Sequence, residues 1–219
     1  APHDDTPAGN PAVHLDSRTL PGAIAADGHL SLIAAAGDNP AWIVTRSSFD
    51  WVPPQAGDWI QATFDLVSIQ DSNAPPATRI GYLLALHDFD DSGDKPTGNA
   101  PSGNILIEGN PAGGASVFID HPGKDRKPAG ALGQSAYAPG HNYGVRITRL
   151  NGDQLLLQHI ADGRVEQPAL RLKTNQMTRG GFGFELCCSR RFTVDNVLIQ
   201  ASDRKSTRLN SSHSQQSRM

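Results

Sequence analysis

Apolar and polar residues alternate with a period of two along residues 142–202, and this alternation predicts β-strands. Two dipeptides of turn residues, Asn151-Gly152 and Asp162-Gly163, separate the first three alternating runs. Such dipeptides favour two-residue type I′ hairpin turns, because Asn, Asp and Gly tolerate a positive φ. We therefore predict that residues 142–202 form an antiparallel meander of five strands, which must pack against a second layer to bury its apolar face.

The preceding part of the chain contains further short apolar or alternating runs bounded by Gly, Pro and Asp. They predict strands at residues 29–35, 41–49, 58–69, 78–90, 104–110 and 115–122. Residues 123–141 are rich in Gly and Pro and predict a long loop. The expected fold class is all-β, a two-sheet antiparallel β-sandwich of the jelly-roll kind. The apolar phase of the strands places the following residues between the sheets: Ile60, Phe64, Leu84, Val145, Ile147, Leu157, Phe182, Phe184 and Val197.

The composition indicates a single β domain. The 219 residues include 22 Gly and 16 Pro, as turn-rich β proteins require, and no segment sustains a helical period. We expect a flexible lead-in at residues 1–12 and one domain at residues 13–202. No apolar run approaches the roughly 20 residues of a membrane-spanning helix, so no membrane span is predicted.

Residues 203–219 lack the alternation, and their polar composition is typical of a disordered tail. The run "DRKSTRLNSSH" resembles a translated sequencing adapter, so we exclude it from the fold prediction and expect the domain to belong to a larger protein. The tail holds 4 of the 19 basic residues and 1 of the 22 acidic ones, which leaves 15 basic against 21 acidic residues. A formal net charge of −6 on the remainder argues against nucleic acid as a partner.

The run at residues 58–69 has one apolar face and one polar face. The polar face carries Trp59, Gln61, Thr63 and Asp65. A large aromatic ring among amides and carboxylates is typical of sugar-binding surfaces, where the ring stacks on a pyranose and the polar groups bind its hydroxyls. The alternative is an ordinary solvent-exposed face with one amphipathic Trp at its rim.

The segment "DFDDSGDKPTGN" has the spacing of half a calcium-binding loop. Asp88, Asp90, Ser92 and Asp94 place oxygen ligands at alternate positions, and Gly93 would allow a sharp turn. The twelfth position of such a loop is Asn99 instead of a bidentate Glu. A calcium site outside a helical framework and a solvated acidic turn therefore both stay open.

Three stretches, "RFTVDNVLIQ", "SVFIDHPG" before the predicted long loop, and "DGRVEQPALRL", resemble the concanavalin A-like lectin/glucanase jelly roll. Within that superfamily the chain is most similar to laminin-G-like and 3-keto-disaccharide hydrolase-like domains of bacteria. The resemblance implies a module of a larger secreted or cell-surface protein. The Glu-x-Asp-x-x-Glu strand of the retaining glucanases is absent, because the glutamates Glu108, Glu166 and Glu185 lie on separate segments.

Three functions fit these observations. The first is a non-catalytic module that binds a glycan, or a protein partner, through the polar faces of the sheet; its candidate ligand-binding residues are Trp59, Gln61, His87, Arg146 and Glu185. The second is a spacer domain without a small ligand. The third is an enzyme acting on a sugar, for which acid–base candidates are plentiful but no pair has diagnostic spacing. Those candidates are Asp65, His87, Asp88, His141, His159 and Glu185.

Overall fold

The computed structural model describes most of the predicted domain. The described residues are 15–16, 24–26, 29–33, 41–45, 49–70, 80–86, 105–110, 112–121, 124–177, 179–186 and 191–202. The predicted lead-in, the predicted tail, His87 and the predicted calcium loop with Asp88, Asp90, Ser92 and Asp94 lie outside these ranges.

Sixteen β-strands and one short 3₁₀ helix, Thr174–Gln176, form the regular structure of the described residues. In chain order the strands are β1 (Leu15–Asp16), β2 (Ile24–Ala26), β3 (His29–Ile33), β4 (Ala41–Thr45), β5 (Phe49–Asp50), β6 (Trp59–Gln70), β7 (Ile80–Leu86), β8 (Ile105–Gly109), β9 (Ala115–His121), β10 (Lys124–Leu132), β11 (His141–Arg149), β12 (Gln154–Ala161), β13 (Arg164–Val165), β14 (Leu170–Lys173), β15 (Arg179–Leu186) and β16 (Arg191–Ala201).

The strands form two antiparallel sheets. The first sheet has the order β1-β4-β15-β7-β8-β9-β10, and β5 also pairs with β15. The second sheet has the order β13-β12-β11-β6-β16-β3-β2, and β14 also pairs with β12. Apolar side chains of both sheets form one buried cluster. The predicted two-sheet sandwich is thereby confirmed.

The buried cluster contains eight of the nine residues predicted to lie between the sheets. They are Ile60, Phe64, Leu84, Val145, Ile147, Leu157, Phe182 and Phe184. The ninth, Val197, is only partly buried, and Ile199 is buried further along β16. The register of β16 against β6 shifts between Asp195 and Leu198, and Asn196 has a φ of 49°. The extra residue of this bulge changes the phase of the strand, so that Val197 falls in phase with the buried Ile199 and packs against the cluster at its edge.

The two hairpin turns differ in type. Asp162 and Gly163 have φ angles of 48° and 73°, and the flanking Ala161 and Arg164 are paired, as a type I′ turn requires. At Asn151-Gly152 the hairpin is present, but only Gly152 has a positive φ there. Asp153 extends this connection to three residues between Leu150 and Gln154, which are joined by a backbone hydrogen bond of 2.9 Å.

Three predictions of strand organisation were wrong. Residues 124–132 were predicted to be loop but form β10, which is the edge strand among the described strands of the first sheet, and a Pro is tolerated at an edge. The run "RVEQPALRL" is two strands, β13 and β14, separated at Glu166–Ala169. The five-strand meander ends at β14, since β15 joins the first sheet and β16 returns to pair with β6. Alternation reports which strands exist, but it carries no information on which sheet accepts each strand.

Candidate ligand-binding face

The outward face of the second sheet carries a row of polar side chains. Because side chains alternate along each strand, the residues that do not enter the core point away from it in register across neighbouring strands. Gln61 of β6 lies opposite Arg146 of β11 on one side and opposite Gln200 of β16 on the other. Gln158 of β12 lies opposite Arg146 and extends this row. We call this surface, with its neighbouring Trp59, the Trp59 face.

Trp59, Gln61 and Arg146, three of the five predicted ligand-binding residues, make direct contacts with one another. The Arg146 guanidinium carbon lies 4.8 Å from the centroid of the Trp59 ring, a cation–π distance. Arg146 Nε and Nη2 donate to Gln61 Oε1 at 3.0 and 2.8 Å. Gln61 Nε2 in turn donates to Gln200 Oε1 at 3.0 Å. The side chains are therefore held in fixed positions before any ligand arrives, which lowers the entropic cost of binding.

A second polar cluster lies at the other end of β6. Asp65 Oδ1 accepts a hydrogen bond from Asn142 Nδ2 at 2.7 Å, and Asp65 Oδ2 accepts one from Asn196 Nδ2 at 2.7 Å. The bulge on β16 positions Asn196 for this contact. Asp195 lies opposite Asp65 across the strand pair. Both oxygens of Asp65 already accept amide hydrogen bonds, so this carboxylate is fixed as an acceptor on the surface.

The fourth predicted ligand-binding residue, Glu185, is not on the Trp59 face. Glu185 belongs to β15 in the first sheet, where it pairs with Trp42 and Gly81, and His87 lies outside the described residues. In the described ranges, no three His, Cys, Asp or Glu side chains are placed to hold a metal ion. The same ranges contain no helix that is long and apolar enough to cross a membrane.

The structure also shows a buried polar chain that the sequence prediction did not assemble. His159 is fully buried, and its Nδ1 lies 2.8 Å from Glu166 Oε2 while its Nε2 lies 2.9 Å from the Tyr137 hydroxyl. The Tyr137 and Tyr82 hydroxyls are 3.0 Å apart. An ionised carboxylate only accepts hydrogen bonds, so Nδ1 carries the proton and Nε2 accepts from Tyr137.

Glu166 is the outer end of this chain and is strongly bound. Burial would raise the pKa of Glu166, but hydrogen bonds from the Ser135 hydroxyl, the Gln134 amide, His159 and the Ser135 amide outweigh it and lower the pKa to about 2. Burial lowers the pKa of His159, and the hydrogen bond with Glu166 and its charge oppose that effect only in part. Burial likewise raises the pKa of Tyr137 well above its ordinary value. At pH 7 the buried polar chain therefore consists of an ionised Glu166, a neutral His159 and two neutral tyrosines.

One signal in the sequence could have revealed the buried polar chain. His159 follows Leu155 and Leu157 in the core phase of β12, where a polar side chain must find a partner. Its partner Glu166 could not be identified in advance, because it comes from the break between β13 and β14. Tyr137 is 4% exposed and His159 is fully buried. The buried polar chain therefore supports the core and does not form a surface on which a ligand could bind.

Comparison with known proteins supports the fold. No family model matches the chain, and no curated protein sequence matches it. Among solved structures, peanut lectin is similar with a TM-score of 0.53 at 12% identity, over 90% of this chain and 92% of the lectin. A legume lectin-like domain from Entamoeba histolytica is similar with a TM-score of 0.52 at 12% identity, over 86% of this chain and 89% of that domain.

Winged bean acidic lectin, solved in complex with methyl-α-D-galactose, is similar with a TM-score of 0.50 at 11% identity, over 87% of this chain and 92% of that lectin. At these identities the likeness establishes the fold alone. The chain has a concanavalin A-like, lectin-type jelly-roll fold, as the resemblance of its sequence had implied.

Proposed function

We propose that this domain is a non-catalytic carbohydrate-binding module and that the Trp59 face is its binding surface. The observation that carries the proposal is the preorganised row of Arg146, Gln61 and Gln200 beside the partly exposed Trp59 ring. An aromatic ring offers its face to the C–H groups of a sugar, while amide and guanidinium groups bind the hydroxyls. Support at the level of the fold comes from the lectin-type neighbours, and one of them is in complex with a galactoside.

A module of this kind would meet its ligand on polysaccharides outside the cell. We therefore propose that the domain belongs to a larger secreted or cell-surface protein and directs that protein to a glycan. In this role the domain requires no catalytic residues. Of the acid–base candidates, His159 is buried and bound to Glu166 and Tyr137.

A glycan-array screen followed by calorimetry tests the proposal. We expect the intact domain to bind at least one oligosaccharide and Trp59→Ala to abolish that binding. Gln61→Ala should weaken the binding by roughly tenfold, because it removes one polar contact to the ligand and a hydrogen-bond partner of Arg146. Gln134→Ala is the matched control, because this exposed Gln follows β10 of the first sheet and is not part of the Trp59 face. Unchanged far-UV spectra and melting temperatures would show that the variants are folded. If no glycan binds the folded domain, the spacer interpretation replaces the proposal.

A further inference from the structure

A basic groove adjoins the Trp59 face at the edge of the second sheet. The groove has a volume of about 470 Å³ and lies beside β12, β14 and the 3₁₀ helix. Its lining residues are Gln154, Arg171, Leu172, Lys173, Asn175 and Gln176. Two cations and three amides thus line the groove, and no carboxylate is among the lining residues. This composition contrasts with the acidic balance of the whole chain, whose formal net charge is −3.

The groove and the Trp59 ring are linked by a single row of residues across four adjacent strands. Trp59 lies opposite Thr148, Thr148 opposite Leu156, and Leu156 opposite Arg171. Because these residues are direct cross-strand partners, their side chains share the outward face of the sheet. Three strand spacings separate Trp59 from Arg171, a distance of about 14 Å. That span fits a short oligosaccharide lying across the strands and exceeds what a single sugar could bridge.

The cations of the groove are held ready for an anion. Arg171 Nη1 donates to Gln154 Oε1 at 2.8 Å, which fixes the guanidinium on the outward face. Gln176 Oε1 accepts a hydrogen bond from the Lys173 backbone amide at 2.7 Å and fixes the end of β14. Within the described part of the chain, neither Arg171 nor Lys173 forms an ion pair. Both side chains are exposed.

The acidic residues of the same face are too distant to neutralise this region. Asp65 and its neighbour Asp195 lie six residues along β6 from Trp59, a distance of about 20 Å. The Debye length at physiological ionic strength is about 8 Å, so these charges are screened from the groove. Asp153 precedes Gln154 in an exposed turn and accepts a backbone hydrogen bond from Thr174, but it does not line the groove. The charged residues that line the groove are thus the cations Arg171 and Lys173, and Arg146 adds a third cation beside Trp59.

We propose that the ligand of this domain is an acidic oligosaccharide whose carboxylate or sulfate group binds Arg171 and Lys173 while another of its sugars contacts Trp59 and Arg146. This inference rests on the proposed function, because it assigns the class of glycan and the direction in which the glycan lies across the sheet. Arg171 provides paired donors for the anion, and Lys173 provides a point charge at the far end of the groove.

Calorimetry with three hexasaccharides tests the inference: an oligogalacturonate, a heparin-derived fragment and neutral cellohexaose. The variants are Arg171→Ala/Lys173→Ala, Trp59→Ala, and the control Arg164→Ala/Arg179→Ala, which removes two exposed cations outside the groove. We expect at least one acidic hexasaccharide to bind more tightly than cellohexaose. The groove variant should weaken that binding by roughly tenfold or more, as expected for lost charge-assisted contacts, and the control should change it less than twofold. Raising the salt concentration should weaken wild-type binding and affect the groove variant much less.

The outcomes separate the inference from the function on which it rests. If glycans bind through Trp59 but the groove variant binds acidic and neutral hexasaccharides as the wild type does, the inference is wrong and the proposed function stands. If acidic hexasaccharides bind equally well to Trp59→Ala, a site shared between ring and groove is excluded. If the folded wild type binds none of the three and no array glycan, both proposals are wrong.

Discussion

At the scale of single residues, the alternation of side chains predicted most of the core correctly. Phe64, Val145 and Phe184 occupy the buried phase of their strands, as expected from a period of two. Val197 is partly buried at the edge of the cluster, because the bulge at Asn196 inserts one residue into β16 and brings Val197 into phase with Ile199; the dipeptide Asp195-Asn196 had indicated such a bulge. Trp59, Gln61 and Arg146 could be placed on one surface in advance, whereas Glu185 could not be assigned to the other sheet.

The buried polar chain depends on one glycine whose role is specific. Gly133 has a φ of 62°, and a Cβ atom there would lie 2.5 Å from His159 Nδ1 and 2.7 Å from Glu166 Oε2. Gly163 has a similar φ of 73°, but a Cβ atom there would meet nothing within 4 Å. An Ala at either position would therefore have the same backbone strain, but only at position 133 would its Cβ atom clash with other side chains.

We predict that Gly163→Ala costs about 1–2 kcal/mol of unfolding free energy, the cost of the left-handed backbone. Gly133→Ala should cost about 1–3 kcal/mol more, because His159 and Glu166 must move from their hydrogen-bonded positions. Urea denaturation of both variants gives the comparison. Equal losses would show that the buried polar chain tolerates displacement and is not fixed by Gly133.

At the scale of elements, the strands that the sequence revealed are those with regular alternation, such as β6, β11 and β12. The edge strand β10 was missed because its Pro128 and Gly130 are typical of loops, and its pairing to β9 contains two register shifts. The split between β13 and β14 was missed although Pro168 indicated a break. Sequence patterns report the local backbone, and edge strands depend on a neighbour that the local pattern does not contain.

The predicted calcium loop follows β7 and stays a prediction of the sequence. If Asp88, Asp90, Ser92 and Asp94 bind the ion, millimolar calcium should raise the melting temperature, since a ligand that binds only the folded state stabilises it by mass action. Asp90→Ala should remove that increase, while Asp153→Ala, which removes an exposed acid elsewhere, should leave it intact. Differential scanning calorimetry with and without a chelator measures the effect. An identical melting curve in both conditions would leave the acidic turn as the explanation of this segment.

At the scale of the whole molecule, a period of two with many turns was sufficient to predict a sandwich, because two amphipathic sheets can bury their apolar faces only against each other. The order of strands within the sheets was not predictable. β16 lies between β6 and β3, which are far from it in the chain, and such pairings are decided by the assembled core. The Trp59 face depends on this strand order, because Gln200 contacts Gln61 only where β16 returns to the second sheet and pairs with β6.

The assembled core also makes the stability of the molecule depend on pH, through His159 and Glu166. Burial lowers the pKa of His159 from 6.5. Below pH 6.5, His159 therefore binds a proton in the unfolded chain but stays neutral in the folded one. The pKa of Glu166 falls from 4.5 to about 2, so between these values the unfolded chain again binds more protons. Both groups therefore lower the stability as the pH falls.

We predict that the free energy of unfolding, measured by urea denaturation at a series of pH values, is greatest above pH 6.5 and falls progressively toward pH 2. Glu166→Gln should be less stable than the wild type at pH 7 but should lose less stability between pH 4.5 and 2, because the carboxyl that titrates there is gone. His159→Gln should remove the decline that begins near pH 6.5. Asp153→Asn, which changes an exposed carboxyl in a turn, should follow the wild-type curve. If the curves of Glu166→Gln and His159→Gln have the same shape as the wild-type curve, other titratable groups cause the acid sensitivity. The His159–Glu166 pair would then not couple protonation to folding.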